Sequence, residues 1–526
     1  MKRYWVPLLL LLFFLAVPVR TLLPDSGPGE HKTQASPMKI KAPEFPEGME
    51  WLNTGGRPVR LAELRGKMVL LDFWTYCCIN CMHVMPELKK LEARHPNNLV
   101  VIGVHSAKFT NERVTGNIRQ AMLRYGLEHP VVNDSEFRIW NAYGVRAWPT
   151  LVLIDPEGNF VSVYSGEGNF EDIDRQIEQY VKWYRQKDML NETPSVDIFD
   201  RLETEPTPLS FPGKILADPD NDRLFIADSG HNRIVITRRD GQVLDVAGSG
   251  EEGVEDGGFE EAGFSHPQGM ALDGDVLYVA DTENHLIRRL DLTSRTVTTI
   301  AGSGRQADFL SVGGLGTKAA LSSPWDLELV GGNKLYIAMA GLHQIWVMDL
   351  GNNLVQPYAG SRREGIRDGV LDKSEMAQPS GIASDGKKLY VADSETSSVR
   401  EIDTESGRVR TVIGRGLFIF GDRDGNSNEA RLQHPLGVAY RDGLVYVADT
   451  YNHKIKVIDP AEGTSNTFLG SGRPGHEDDG GIEFYEPGGL DFAGGKLYIA
   501  DTNNHAIRVA DLSGNVTTLS IVGIKP

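Results

Sequence analysis

Two textures of apolar and polar positions divide this chain. From about residue 40 to 187, buried-strand runs and helical spacings take turns. "KMVLLDF" (67–73) is an apolar run of strand length, and "NCMHVMPELKKLEARH" (80–95) has apolar residues three and four apart, as on one helix face. "NLVVIGVHS" (98–106) predicts a second buried strand, followed by a helix over about 111–125. "TLVLIDPEGNFVSVYSG" (150–166) predicts a hairpin turned by Asp155-Pro156-Glu157-Gly158, and a last helix is expected over about 170–187. That order predicts an α/β layer fold.

From 209 onward the pattern changes to short apolar strands with turn signals, and it repeats. Its most regular unit reads "RLFIADSGHNRIVI" at 223, "VLYVADTENHLIRRLD" at 276 and "KLYIAMAGLHQIWVMD" at 334. It returns as "KLYVADSETSSVREID" at 388, "LVYVADTYNHKIKVID" at 444 and "KLYIADTNNHAIRVAD" at 496. One position holds Asp228, Asp281, Met339, Asp393, Asp449 and Asp501, at gaps of 53, 58, 54, 56 and 52 residues. Each unit follows a proline-bearing lead-in: "FPGKI", "HPQGM", "SPWDL", "QPSGI", "HPLGV" and "EPGGL". A single four-stranded sheet cannot bury both its faces. Six units of about four strands therefore predict radial closure into an all-β six-bladed propeller over 209–526. The unit resembles the NHL family of β-propellers over about 310 residues, with Met339 the one departure from its Ala-Asp core. The resemblance speaks for fold and leaves activity open.

His285, His343, His453 and His505 each fall four residues after the repeated position. They read as turn residues on separate blades; a ring of metal ligands is the alternative. Between units run Gly/Asp-rich segments such as "EEGVEDGGFEEAGF" and "HEDDGGIEFYE", and residues 251–261 hold six acids and no base. These segments are either solvated connections or a surface for a basic partner or a cation.

At 526 residues the chain has room for two or three domains, and 40% hydrophobic with 24% charged residues is ordinary globular composition. A net charge of −18 excludes nucleic acid as a partner, because phosphates demand basic surface. Lys2 and Arg3 precede an apolar run from Tyr4 to Val19, the pattern of an export signal or short membrane anchor over residues 1–23. Residues 24–39, rich in Pro, Gly and Ser, read as a tether, and 188–208, with many acids and no period, as a linker. The expected location is extracytoplasmic, in a periplasm or at a cell surface, with the chain tethered to the membrane.

All three cysteines, Cys77, Cys78 and Cys81, lie within five residues of one another. None is far enough from the others to staple the fold, so they point to reactivity. Cys78 stands where the helix begins, where free N–H groups stabilise a thiolate. Cys81, three residues on, shares its face and can close a disulfide or resolve a mixed one. No second Cys or His pair at metal spacing follows, so neither a metal nor an organic cofactor is expected.

"LLDFWTYCCINC" ahead of a helix, with "AWPT" later, resembles the thioredoxin superfamily, and in particular its exported TlpA/DipZ-type oxidoreductases. The resemblance implies that Asp72-Phe73-Trp74 precedes a redox-active Cys78–Cys81 pair, with Cys78 attacking and Cys81 resolving. It implies that Asp72 is the buried carboxylate serving Cys81, which agrees with its place in an apolar run. It also implies that Pro149 is a cis-proline, with Trp74, Trp148 and Thr150 beside the substrate. Cys77 falls where an aromatic residue is usual and reads as an accessory wall of the site. The whole resembles NHL-repeat-containing proteins with an N-terminal thioredoxin-like domain. Those continue into a further β domain, whereas this sequence stops at Pro526 just after the sixth unit.

The expected function is thiol-disulfide oxidoreduction on protein thiols and disulfides, with an upstream membrane or extracytoplasmic redox partner. The propeller then serves as the substrate- or partner-binding module. The alternatives are a propeller scaffold carrying a redox-inactive thioredoxin-like domain, a peroxiredoxin-like peroxidase using Thr75 and Cys78, or a propeller enzyme of lyase or hydrolase type.

Overall fold

A computed structural model describes residues 39–195, 199 and 206–525. The expected anchor and most of the expected tether lie outside these residues. Among them, no helix is long and apolar enough to cross a membrane.

The first domain is a sheet of six strands, β1 (Glu50–Leu52), β2 (Met68–Trp74), β3 (Leu99–His105), β4 (Val131–Asn133), β5 (Thr150–Ile154) and β6 (Phe160–Ser165), in the order β1-β4-β3-β2-β5-β6. β2, β3 and β4 run parallel, and β5 lies antiparallel to β2. Four helices cover it: α1 (Ile79–Arg94), α2 (Thr115–Arg124), α3 (Arg138–Tyr143) and α4 (Phe170–Arg185). Alternation along β2 divides the core between the two faces. Val69, Leu71 and Phe73 pack with Ile139 and Trp140 of α3, while Met68 and Leu70 pack under α1 and α4. β1, β4 and α3 are additions to the elements that the apolar pattern predicts. The expected linker also begins later than its composition suggests. The Asn191 N–H donates to the Gly66 carbonyl and the Ser195 N–H to that of Pro96, so these polar residues run back across the first domain.

The second domain forms six antiparallel sheets arranged as blades, each with four main strands. The innermost strands, such as Lys214–Asp218 and Pro324–Val330, surround the axis. They approach so closely that a Cβ on Gly269 would lie 2.3 Å from the Asp326 Cα. Lys214 closes the axis: its Nζ donates to Asp326 Oδ2 (3.1 Å) and to the carbonyls of Ser380 (2.8 Å) and Leu436 (2.6 Å). Three other blades are thereby tied to the first.

The repeated residues explain how blades hold one another. The residue four after the Asp position adopts a left-handed backbone, with φ between 49° and 55° at Asn232, His285, His343, Ser397, His453 and His505. Its side chain then accepts the N–H of the residue before the next blade's proline. Ser323 N–H donates to His285 Nδ1 (3.0 Å), Gln378 to His343 (3.0 Å) and Glu486 to His453 (3.1 Å). Phe211 N–H donates to His505 Nδ1 (3.1 Å), which closes the ring from the last blade to the first. The turn reading of these histidines therefore describes them: each latches its blade to the next.

In every blade but the third, which has Met339, the repeated Asp is fully buried and paired. Asp281 meets Arg288 at 2.8 Å, Asp393 meets Arg400 at 3.1 Å and Asp501 meets Arg508 at 2.7 Å. Each of these cations also reaches an acid of the preceding Gly/Asp-rich segment, Asp256, Asp368 or Asp478. Those acids thus clamp the blades.

Candidate functional site

The dithiol stands at the start of α1. Cys78 is the helix N-cap residue, in extended conformation, and Cys81 lies within the first turn. All three cysteines are free thiols: Cys78 is half-buried, and Cys77 and Cys81 are buried. Cys81 is hydrogen-bonded to Cys78. Burial pushes its pKa well above the ordinary thiol value, and the Cys78 hydrogen bond and the nearby Cys78 and Asp72 charges add to the rise. Asp72 lies beneath, on the α1 side of β2, and burial raises its carboxyl to about 7 against the opposing charge of His129. A carboxylate held near neutrality suits proton exchange with a buried thiol.

The other expected site residues divide. The Trp148–Pro149 bond is cis, and Trp148 is partly exposed and packs against the same apolar cluster as Cys78. Trp74 and Thr150, expected at a substrate surface, are buried instead (0% and 2% exposed). α1 and α2 cover Trp74, and the Thr150 hydroxyl is engaged by the Ala147 carbonyl at 2.8 Å. Cys77 is an interior wall. Its N–H donates to Glu112 Oε1 at 2.9 Å, and burial, with the Glu112 and Glu395 carboxylates, holds its thiol well above the usual range. A buried thiol of that kind is unreactive.

The propeller covers this end of the first domain. The residues before the six blade prolines, Phe211, His266, Ser323, Gln378, His434 and Glu486, all have left-handed backbones (φ 44° to 60°). They form a ring around the axis that faces the dithiol. Non-glycine residues pay for such backbone locally, and it gathers where function fixes it. Gln378 accepts the Ile79 N–H (2.9 Å) and donates to the Cys77 carbonyl (2.8 Å). Glu486 accepts from Tyr76 Oη (3.2 Å), Asn111 Nδ2 (2.7 Å) and Arg124 Nη2 (2.8 Å). His266 Nε2 meets the Arg124 carbonyl (3.0 Å), and the His434 ring packs on Phe109. Lys108 reaches Glu395 from the first domain. The lead-in prolines are visible in the sequence, but the residue before them varies among Phe, His, Ser, Gln and Glu, so no repeat marks this ring.

At Ser323 the ring makes an arrangement with hydrolase spacing. Ser323 Oγ is 2.8 Å from His83 Nε2, and His83 Nδ1 is 2.7 Å from Glu167 Oε2. Ser323 is followed by Pro324, which has no N–H to stabilise an oxyanion where such sites use the residue after the nucleophile. The set fastens α1 to the propeller. Between α1 and the axial mouth remains a cavity of about 280 Å³, lined by Ile79, Met82, Arg124, Glu283 and Trp325 among others.

The fold and site define a class: a thioredoxin-like domain whose dithiol end docks on the axial face of an NHL-type propeller. A Thioredoxin-like family model matches residues 66–160, and the NHL repeat matches 264–290, 432–458 and 484–510. NHL repeat-containing protein 2 of Bos taurus is 43% identical over 510 residues, covering 90% of this chain and 70% of that protein. Protein SUPPRESSOR OF QUENCHING 1, chloroplastic, of Arabidopsis thaliana is 43% identical over 511 residues, covering 92% of this chain and 48% of that protein. The chain thus spans about half the length of the plant relative. The first domain alone is 31% identical over 130 residues to Thiol-disulfide oxidoreductase ResA of Halalkalibacterium halodurans, covering 24% of this chain and 69% of that protein. The chain belongs to the family of NHL repeat-containing protein 2.

Proposed function

We propose that the chain is a thiol-disulfide oxidoreductase whose own propeller screens what reaches the dithiol. The observation that carries this is the stacking of Cys78 at the α1 N-terminus, Cys81 one turn below and Asp72 beneath both. The name of the ResA relative supports the reaction class. The Cys78 thiolate attacks one sulfur of a substrate disulfide, forming a mixed disulfide and releasing one substrate thiolate. Cys81 gives its proton to Asp72 and attacks the Cys78 sulfur, forming the Cys78–Cys81 disulfide and releasing the second thiolate. Two electrons pass from the dithiol to the substrate, and an upstream dithiol partner restores them. Protein disulfides are the proposed substrates, and the segment bearing one enters past Trp148 and Met82. The charged start and apolar run at the N-terminus support an extracytoplasmic, tethered location.

Insulin reduction by the full chain, with a dithiol as electron source, tests the reading. Wild type should turn over, Cys78→Ser should be inactive, and Cys81→Ser should accumulate mixed disulfides. An inactive wild type with no trapped species in Cys81→Ser refutes it in favour of a propeller scaffold.

A further inference from the structure

Asp72 pairs in parallel register with Gly103 of β3. Asp72 and Trp74, two residues apart on β2, direct their side chains to one face of the sheet, and Gly103 of the neighbouring strand adds no side chain to it. A Cβ placed on Gly103 would lie 2.9 Å from both Trp74 Nε1 and Val131 Cγ2 and 3.6 Å from His129 Nε2, so the missing side chain lets both nitrogens close in over β3. Among the described residues, Asp72 Oδ1, Trp74 Nε1 and His129 Nε2 are all buried without a hydrogen-bond partner. Leaving such a group unpaired costs about 1–3 kcal/mol, and groups like these are commonly bridged by water. Asp72 also feels the charge of His129, and three such unpaired groups on this side of the sheet call for a bridging water.

His129, itself buried, also meets an acid of α1. Its Nδ1 lies 3.5 Å from Oε2 of Glu92 on α1, whose side chain is 32% exposed. Its carbonyl is fixed by Asn53 Nδ2 at 3.1 Å, which anchors the segment before β4. His105, the other titratable group on this side, is packed against Trp74 and Tyr76 and is held neutral, its pKa lowered to about 3 by burial. His129 therefore stands between Asp72, which feels its charge, and a partly exposed carboxylate.

We propose that His129 is a proton-relay positioning residue for the redox pair, linking Asp72 through a bridging water to Glu92 and bulk solvent. The proposal rests on the thiol-disulfide reading. When Cys81 attacks, its proton passes to the Asp72 carboxylate. The bridging water takes that proton and gives one to His129 Nε2; His129 releases one from Nδ1 to Glu92. Asp72 is left ionised for the next turnover, and no electrons move along the path.

The reduced full chain, mixed with equimolar 5,5′-dithiobis(2-nitrobenzoate), separates the two ideas. The first release of coloured thiolate reports attack by Cys78; the second reports resolution by Cys81. With His129→Gln, which can hydrogen-bond without relaying, the first release should be unchanged. The second should slow about tenfold and lose its pH dependence near neutrality. Glu92→Gln, at a partly exposed side chain, should slow the second release about two- to threefold. A normal second release with an unchanged pH profile in both variants overturns the relay while leaving the dithiol chemistry intact. Absence of the first release in wild type overturns the redox reading and the relay with it.

Discussion

The side chain of Gln378 accepts the N–H of Ile79, 299 residues away in the chain, at 2.9 Å. The same amide donates to the Cys77 carbonyl, so one propeller residue grips the peptide on both sides of Cys78. The Ile79 N–H is among the first-turn donors that a helix leaves unpaired, so Gln378 caps α1 from another domain. Gln378→Ala strands both backbone groups and should loosen the docking by about 2–3 kcal/mol. Alkylation of Cys78 at fixed pH, followed by mass spectrometry, should then speed up several-fold. An unchanged rate would show that the first domain alone holds the loop.

Glu486 is the one acid of the ring, with Tyr76, Asn111 and Arg124 around a side chain only 1% exposed. Removing one member of a buried charged pair leaves its partner uncompensated, which costs about 3–5 kcal/mol. Glu486→Ala should therefore release the two domains from each other while each stays folded. Small-angle scattering should show a larger radius of gyration, and thermal unfolding should split into two transitions. A single transition at the wild-type temperature would contradict that role.

Asp72 makes stability depend on pH in an unusual direction. Its folded carboxyl titrates at about 7, whereas an unfolded aspartate titrates near 3.9. Between those values the native state keeps a proton that the unfolded state has lost, so this group's contribution falls as pH rises through the window and levels off above it. Asp72→Asn does not titrate. Its stability should be close to wild type at pH 4 and exceed it by on the order of 4 kcal/mol at pH 8, while turnover is lost. Urea unfolding at the two pH values measures the difference; an equal difference at both would place the Asp72 titration elsewhere.

What was legible in the chain follows from how local each signal is. Cys78, Cys81 and Asp72 sit in one short motif whose strand-to-helix turn positions them together. Blade number was legible because the Ala-Asp unit recurs at near-constant spacing. The docking ring was not, since Phe211, His266, Ser323, Gln378, His434 and Glu486 each meet a different part of the first domain and share only backbone conformation. Nor was the burial of Trp74 and Thr150, which depends on where α1 and the Ala147 carbonyl fall in space. β4 is three residues long and carries no period of its own.

Blade 3 provides an internal control for the buried pairs. Where the second, fourth and sixth blades have Asp and Arg seven residues apart, it has Met339 and Trp346, both fully buried. The Ser322 N–H, whose counterparts meet carboxylates, approaches Met339 Sδ at 3.3 Å, and Trp346 Nε1 donates to Gln344 Oε1 at 3.0 Å. A buried ion pair can be exchanged for apolar groups of similar volume at little cost, whereas halving it is expensive. Arg400→Trp alone leaves the Asp393 carboxylate buried and unpaired, and should destabilise the propeller by about 3–5 kcal/mol. Adding Asp393→Met and Ser398→Gln rebuilds the blade 3 arrangement and should recover at least half of that loss. Guanidinium unfolding of the single and triple variants measures the recovery. A triple variant no more stable than the single one would mean that blade 3 tolerates Met339 through its wider surroundings.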